Sequence, residues 1–309
     1  MDSKNVFSNN AVILLLALLC CFLWGSAFPV IKIGYSVSGI SACDAGSQIL
    51  YAGIRFTAAG ILVILISHIA ARKYLSFNKK LVFKSAKLSL FQTILQYTFF
   101  YIGLARCTGV KSSVITASNV FLSILIAAFV FRTEKLSVQK VIGCIIGFTG
   151  VLLINSDGLD GGFRFSGEGF VFLAALSYAF SSGLIKKYSR DDSTVLLSGW
   201  QFFIGGTFMT LFGIIAGGRI SCITVKGLLI IIYLSIVSAV AFSLWGTLLK
   251  YNPVSNVSVF GFMNPVFGVL LSYALLSEKN DIEPAKIFIS LFFVVCGIII
   301  VNTGFLKRK

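Results

Sequence analysis

The sequence predicts an all-α integral membrane protein with ten transmembrane helices, arranged as two inverted five-helix repeats. Ten apolar stretches of about twenty residues run through the 309-residue chain, and a helix of that length crosses a bilayer core of about 30 Å. The chain is 57% hydrophobic and only 12% charged, which is far outside the range of soluble globular proteins. Lys and Arg also concentrate in alternate connections, which is typical of a polytopic protein.

The individual spans follow from the apolar runs and the short polar connections between them. The first run is longer than the core of a secretory signal and follows a segment with little basic charge, which predicts a span rather than a cleaved leader. In chain order, spans 1 to 10 cover residues 11–35, 48–71, 86–105, 111–131, 138–155, 167–187, 194–216, 225–249, 255–276 and 284–304.

The distribution of basic residues predicts the orientation of these spans. With the N-terminus inside, the inner segments carry 17 Lys and Arg residues and the outer segments carry 7. The remaining two, Lys32 and Arg55, fall in spans. Because cytoplasmic loops carry the excess of positive charge, we expect a multi-pass protein of the cell (plasma) membrane with both termini in the cytoplasm.

The two halves of the chain resemble each other in sequence. Residues Gly53–Gly60 align with Gly199–Gly206 without a gap, and further pairs of motifs recur in order at offsets of 144 to 147. Each repeat holds five spans, and an odd number of spans forces the second repeat to enter the membrane in the opposite orientation. The predicted repeats are residues 1–156 and residues 157–309, and inverted repeats of this kind are typical of transporters.

Several short motifs resemble those of one protein family. They are Phe22–Phe28, Ile54–Phe56, Trp200-Gln201, Asn264-Pro265 and Ser277–Lys279. Together they are similar to the EamA-type permeases of the drug/metabolite transporter superfamily. The resemblance implies export of a small organic metabolite, best fitting an amino acid or a related compound, by alternating access. It also implies that spans 1, 3, 4, 6, 8 and 9 surround a central cavity.

The resemblance places a candidate substrate site on the presumed cavity helices. Aromatic side chains would hold the apolar part of a solute, and amide and hydroxyl groups would fix its polar end. The alternative is that the aromatic residues serve helix packing and the two asparagines join neighbouring helices. The predicted substrate-binding residues are Trp24, Gln96, Tyr97, Tyr101, Ser118, Asn119, Tyr178, Trp245 and Asn264.

Pro265 and Arg55 have separate predicted roles. Pro265 donates no backbone hydrogen bond and displaces the carbonyl of Gly261, which predicts a kink in span 9. Val120 stands where the repeat would place a matching proline, so a symmetrical kink in span 4 is not expected. Arg55 is the one full charge well inside a span. It either attracts a substrate carboxylate or has a structural role, by snorkelling to the interface or by hydrogen bonding to backbone carbonyls where the helices pack.

The remaining chemistry is sparse. All eleven acidic residues fall in connections or at span ends, and the single histidine, His68, lies near the inner end of span 2. The seven cysteines show no metal-ligand spacing. These absences disfavour a proton relay and intramembrane protease chemistry, and we expect no enzyme activity, no cofactor and no metal.

The expected partners are a small-molecule substrate and the lipid bilayer, and not nucleic acid. Glycines at 143 and 147 could serve packing within a monomer or contacts in a homodimer. The alternative function is a membrane-embedded accessory or lipid-modifying protein that transports no solute.

Overall fold

A computed structural model describes residues 6–41, 43–71, 78–104, 106, 112, 115–154, 163–222, 224–276 and 284–306. All regular structure within these ranges is helical. We label the helical segments α1 to α10 in chain order and treat a turn of π- or 3₁₀-helix as part of the segment that it continues. In the first half these are α1 (Asn10–Ser38), α2 (Ala45–Ala71), α3 (Lys79–Ser89, Leu90–Leu95 and Gln96–Leu104), α4 (Asn119–Leu125 and Ile126–Val130) and α5 (Val138–Ile154).

The second half also holds five helical segments. Its segments are α6 (Phe165–Gly169 and Phe170–Tyr188), α7 (Thr194–Ile215), α8 (Val225–Tyr251), α9 (Val254–Ser258, Val259–Phe262 and Met263–Leu276) and α10 (Pro284–Leu306). Each segment overlaps one of the predicted spans. Within the described ranges, five helices are long and apolar enough to cross a membrane, and three shorter apolar helices accompany them. The chain is therefore an all-helical, multi-pass protein, and the count of ten crossings stays a prediction.

The clearest difference from the predicted spans lies at the start of α3. The apolar run predicts a span from residue 86, whereas the helix begins at Lys79. The side chain of Asn78 accepts hydrogen bonds from the amides of Lys80 at 3.0 Å and Leu81 at 3.3 Å. This cap lets the helix begin in a lysine-rich segment that hydropathy alone assigns to a connection.

Helices α2 and α7 pack antiparallel at very short range. A Cβ built at Gly60 would lie 2.7 Å from Phe203 Cα, and one built at Gly206 would lie 2.8 Å from Thr57 Oγ1. Glycine is needed at both positions because any side chain would displace the facing backbone. Gly206 lies 146 residues after Gly60, and Thr57 lies 146 residues before Phe203. The two contacts are therefore equivalent in the predicted repeats.

Helices α5 and α10 pack together in the same manner. A Cβ at Gly150 would lie 2.6 Å from Ser290 O, and a Cβ at Gly297 would lie 2.6 Å from Gly143 O. An offset of 147 residues converts one contact into the other. Ser290 also donates a hydrogen bond to Gly150 O at 2.7 Å. The small-residue stripe at 143 and 147 is therefore used in packing within the chain.

Large apolar side chains cover much of the outer surface in the described ranges. Leu15, Ile66, Phe208 and Phe292 are all more than half exposed. A soluble protein rarely exposes so much contiguous apolar surface, whereas a bilayer solvates it.

Helix α1 is enclosed on its other side by α8 and α9: the thiols of Cys20 and Cys21 donate to Ala241 O at 3.4 Å and Phe260 O at 3.2 Å.

Candidate functional site

Two tryptophans form the centre of a buried aromatic group between α1, α6 and α8. The ring centroids of Trp24 and Trp245 are 5.0 Å apart. Trp24 also meets Phe242 edge to face at 5.1 Å and Tyr178 at 6.5 Å. The indole Nε1 atoms of both tryptophans are buried without a hydrogen-bond partner. Burying an indole N–H without an acceptor costs free energy. The aromatic group therefore combines apolar rings with two N–H donors that a bound solute could pair.

The aromatic group continues from α8 through α7 and α2 to α3. Phe242 contacts Phe202 at 4.9 Å, and Phe202 stacks on Phe56 at 5.2 Å with the two rings 1° from parallel. Phe56 contacts Tyr97 at 4.5 Å, and Tyr97 lies 6.1 Å from Tyr101. One continuous set of rings therefore joins helices from both halves of the chain.

Arg55 lies at the α2–α3 end of this set. Its side chain is 4% exposed, and its guanidinium carbon lies 4.4 Å from the ring centroid of Phe56 and 5.9 Å from that of Tyr97. The atom Nε has no hydrogen-bond partner. Two further tyrosines, Tyr35 and Tyr51, pack edge to face at 5.4 Å, and Tyr35 packs against the buried cluster that contains Phe56 and Tyr101.

The predicted polar residues lie in two other places. Gln96 follows the π-helical turn of α3, and its Oε1 atom is buried without a partner. Asn119 Oδ1 lies 3.8 Å from a Cβ built at Gly261, where α4 meets α9, and Asn264 Oδ1 is buried without a partner. Ser118 donates its hydroxyl to Ile115 O at 2.6 Å and is thereby satisfied within its own helix.

Both α4 and α9 lose regular α-helical geometry beside their asparagines. In α9 a 3₁₀ turn over Val259–Phe262 precedes Met263, which places Pro265 in the first turn of an α-helix. The absence of an amide hydrogen costs little there. In α4 residues 115–117 are helical, a turn follows at Ser118, and the regular helix resumes at Asn119. The helix is therefore interrupted on the α4 side as well, although Val120 is no proline.

A second polar cluster joins the ends of α4, α5 and α9. Glu134 accepts a hydrogen bond from the Ser255 amide at 2.9 Å and another from the Ser255 hydroxyl, and it forms an ion pair with Lys140 at 2.5 Å. Lys186 donates to Asn252 O at 2.6 Å beside it. Since Ser255 lies in the first turn of α9, the carboxylate also meets the positive end of that helix.

The same face carries a link between α3 and the α6–α7 connection. Lys84 Nζ lies 2.6 Å from Asp192 Oδ2, and that hydrogen bond raises the pKa of Lys84. Lys250 Nζ, at the end of α8, donates to Asp192 O at 3.3 Å. We call this face, with Glu134, Lys140, Lys186, Asp192 and Ser255, the Glu134 face.

The comparison with family models decides the assignment. The model of the EamA-like transporter family matches residues 11–156 and 165–303. The chain belongs to the EamA-like transporter family. Two matched regions that together cover nearly the whole chain agree with a two-repeat membrane fold.

Individual EamA relatives match over most of their length. An uncharacterized transporter of Archaeoglobus fulgidus is 26% identical over 284 residues, covering 92% of this chain and 83% of that protein. The uncharacterized transporter YvbV of Bacillus subtilis is 26% identical over 305 residues, covering 95% and 93%. A probable amino-acid metabolite efflux pump of Escherichia coli is 26% identical over 278 residues, covering 85% and 87%.

A solved crystal structure shares the fold, with a TM-score of 0.77 and 17% identity over 97% of this chain and 100% of that one. The family and the names of its members indicate membrane transport as the activity and point away from catalysis. The predicted resemblance to EamA permeases is thereby confirmed.

Against this background, the structure brings together five of the nine predicted substrate-binding residues. Trp24, Tyr97, Tyr101, Tyr178 and Trp245 all belong to the aromatic group. The described contacts do not join the four polar residues to that group. Their role as a polar end of the site stays a prediction.

Sequence reasoning missed three phenylalanines and two tyrosines of this region. Phe56 directly follows Arg55, and Phe242 precedes Trp245 by one helical turn, so spacing offered a weak signal for both. Phe202 and the pair Tyr35 and Tyr51 had none, because a chain with 30 Phe and 10 Tyr offers too many equivalent candidates.

Proposed function

We propose that this EamA-family protein carries small organic metabolites across the cell (plasma) membrane by alternating access, and that export of amino acids or related compounds best fits the site. The observation that carries the proposal is the buried aromatic group, which spans both halves of the chain and leaves indole and guanidinium nitrogens unpaired. A pocket for a small amphipathic solute combines apolar walls with a few polar atoms in this way.

The packing of equivalent helices supports inverted repeats with boundaries 1–156 and 157–309. In the pairs α2–α7 and α5–α10, the helices run antiparallel, and each contact has a counterpart at the repeat offset. A two-fold axis perpendicular to the helices exchanges equivalent contacts in this way. An axis perpendicular to membrane-spanning helices lies in the membrane plane. Two halves related in this way have equivalent states open to opposite sides.

The Glu134 face supports a state closed at one end. Glu134 follows α4 in the first half, and its partner Ser255 begins α9 in the second half. Contacts that join the halves at one end must break before a solute can leave there. The basic excess predicts that this end, together with both termini, faces the cytoplasm.

We assign the apolar part of the solute to Trp24, Tyr97, Tyr101, Tyr178 and Trp245. Gln96, Ser118, Asn119 and Asn264 would bind the polar part when the cavity changes shape, and Pro265 would set the bend of α9. The relative of E. coli named as an amino-acid metabolite efflux pump favours an amino-acid-like solute. Partners are a small molecule and the bilayer, with no cofactor. A monomer suffices, because the glycine stripe of α5 is already covered by α10.

The test is counterflow with the purified protein in liposomes that are preloaded with unlabelled metabolites. Members of an amino-acid and organic-acid panel are added outside as labelled tracers, one at a time. A carrier accumulates the tracer transiently above equilibrium, because the excess of unlabelled internal solute competes with the tracer for the inward-facing site and so suppresses tracer exit. An absence of such accumulation for every member of the panel, with the protein correctly inserted, would contradict the proposal.

A further inference from the structure

Arg55 is a buried charge that has no counter-charge among the residues that the structure describes. Within the described ranges, the ion pairs join Lys84 to Asp191 and Asp192 and Lys140 to Glu134, and none includes Arg55. Its side chain is only 4% exposed, and Nε has no acceptor. A buried charge normally acquires an opposite charge or a set of hydrogen bonds, because the loss of hydration is otherwise uncompensated.

The surrounding rings compensate this charge only in part. The faces of Phe56 and Tyr97 lie 4.4 Å and 5.9 Å from the guanidinium carbon. Such cation–π contacts are weaker than the hydration that burial removes. They also leave the Nε–H group without an acceptor, since a ring face accepts hydrogen bonds only weakly.

A hydrogen bond from α8 fixes the position of Arg55. Ser235 donates to the backbone oxygen of Arg55 at 3.0 Å, which holds this part of α2 against α8. The site therefore presents one fixed cation, and the described residues place no carboxylate in an ion pair with it.

The position of Arg55 links this cation to the aromatic group. Phe56 and Tyr97, which flank the guanidinium, are members of the ring set that leads through Phe202 and Phe242 to Trp24. A solute that lies along these rings can therefore present an acidic end to Arg55. A structural brace would instead show hydrogen bonds from the guanidinium to helix carbonyls, and the described residues show none.

We propose that Arg55 binds a carboxylate group of the transported solute. The inference rests on the proposed transport function and narrows its substrate class to carboxylic acids with an apolar substituent. The guanidinium offers a planar pair of N–H donors that matches the two oxygens of a carboxylate. The apolar substituent would contact the rings of Tyr97 and Trp24.

The test compares 3-phenylpropionate with its neutral isostere 3-phenylpropanamide. Binding to the full-length protein in nanodiscs is followed by intrinsic tryptophan fluorescence, since two of the three tryptophans lie in the aromatic group. The wild-type protein is expected to bind the acid about tenfold or more tightly than the amide, because a hydrogen bond to a charged group is worth about 1.4 kcal/mol or more, a factor of about ten. In Arg55→Gln the ratio is expected to fall to about one while binding of the amide is retained.

Two further variants keep the test decisive. Arg55→Lys retains the charge but loses the planar donor pair, and serves if Arg55→Gln does not fold; we expect it to lower the acid-to-amide ratio as well. Tyr233→Phe is the matched control. The Tyr233 hydroxyl forms a hydrogen bond with the Ser26 hydroxyl, 2.7 Å away, and makes no described contact with Arg55. This control is expected to leave the ratio unchanged.

The possible failures are distinguishable. The carboxylate assignment is overturned if the wild-type protein binds neither probe or shows no preference for the acid, or if both Arg55 variants keep the preference. In any of these cases, counterflow of another solute would still support the transport proposal. If counterflow fails for the whole panel, the transport proposal itself is overturned.

Discussion

At the scale of single residues, the site combines aromatic rings that are tightly packed with polar atoms that have no partner. Trp245 is 2% exposed, and its ring contacts Trp24. Replacing a buried tryptophan by alanine typically costs about 3–5 kcal/mol, so this change would lower protein abundance together with flux. Asn264 is different, because its unpaired Oδ1 atom contributes no described hydrogen bond. Residues of the second kind give the cleaner tests of function.

Asn264→Ala is predicted to lower counterflow about two- to twelvefold without lowering abundance in the membrane. The change removes a polar atom that has no structural partner, so the fold loses little, whereas a solute loses a hydrogen bond worth about 0.5–1.5 kcal/mol. Asn302→Ala is the matched control, because Asn302 donates to Ile298 O of its own helix at 2.9 Å in α10. Equal flux in Asn264→Ala and wild type would remove Asn264 from the site.

The residues of the site were only partly predictable for a physical reason. Aromatic residues are common in membrane helices. In the sequence, a ring that lines a site differs from a ring that serves packing only in the helix that carries it and in its spacing along that helix. Trp24 and Trp245 could be selected because tryptophan is rare in this chain, with three copies. Phe202 could not, because its part in the site depends on the approach of α7 to α2.

At the scale of helices, close contact between backbones decides which helices pair. The α2–α7 pair depends on glycine where α2 and α7 come closest. The spans themselves followed from apolar length. Over the described residues, their positions agree with the helices to within a few residues apart from the start of α3 and the turn at Ser118 in α4. The π-helical and 3₁₀ turns in α3, α4, α6 and α9 were not predicted, except near Pro265, because they result from packing rather than from local propensity.

Gly60→Ala is predicted to lower the melting temperature in detergent and the abundance in the membrane. A Cβ there would lie 2.7 Å from Phe203 Cα, so α7 would have to move. Gly246→Ala is the matched control, since its nearest neighbour would be Thr194 Cβ at 3.5 Å, an ordinary contact distance. Alanine also favours a helix by about 1 kcal/mol over glycine, so Gly246→Ala should be neutral or stabilising. Equal melting temperatures in the two variants would contradict the role given to the α2–α7 contact.

Glu134→Gln is predicted to open the Glu134 face. The amide loses the ion pair with Lys140 and accepts more weakly from Ser255. We expect faster reaction of the buried thiols of Cys20 and Cys21 with a maleimide, measured by peptide mass spectrometry. Asp191→Asn is the control, because Asp191 is an exposed acid on the same face, 3.6 Å from Lys84. Unchanged thiol reactivity in Glu134→Gln would show that this cluster does not hold the face closed.

At the scale of the whole molecule, the account depends on two halves that cross the membrane in opposite directions. The family match shows a two-repeat fold, and the exchange of contacts between α2 and α7 and between α5 and α10 supports the inversion. The sequence predicted this architecture from an offset of 144 to 147 residues and an odd number of spans per repeat. It could not predict which face is closed, because that depends on Glu134 meeting a helix end from the other half, 121 residues away.

The most direct measurement is two-sided labelling of equivalent connections in the two halves. Cys43 lies exposed in the connection between α1 and α2, and an Asp191→Cys variant carries a thiol in the equivalent connection between α6 and α7. An impermeant maleimide added to intact cells should label Cys43 from outside, whereas the thiol at position 191 should react only in inverted vesicles. Labelling of both positions from the same side would contradict the inverted architecture and the transport mechanism that depends on it.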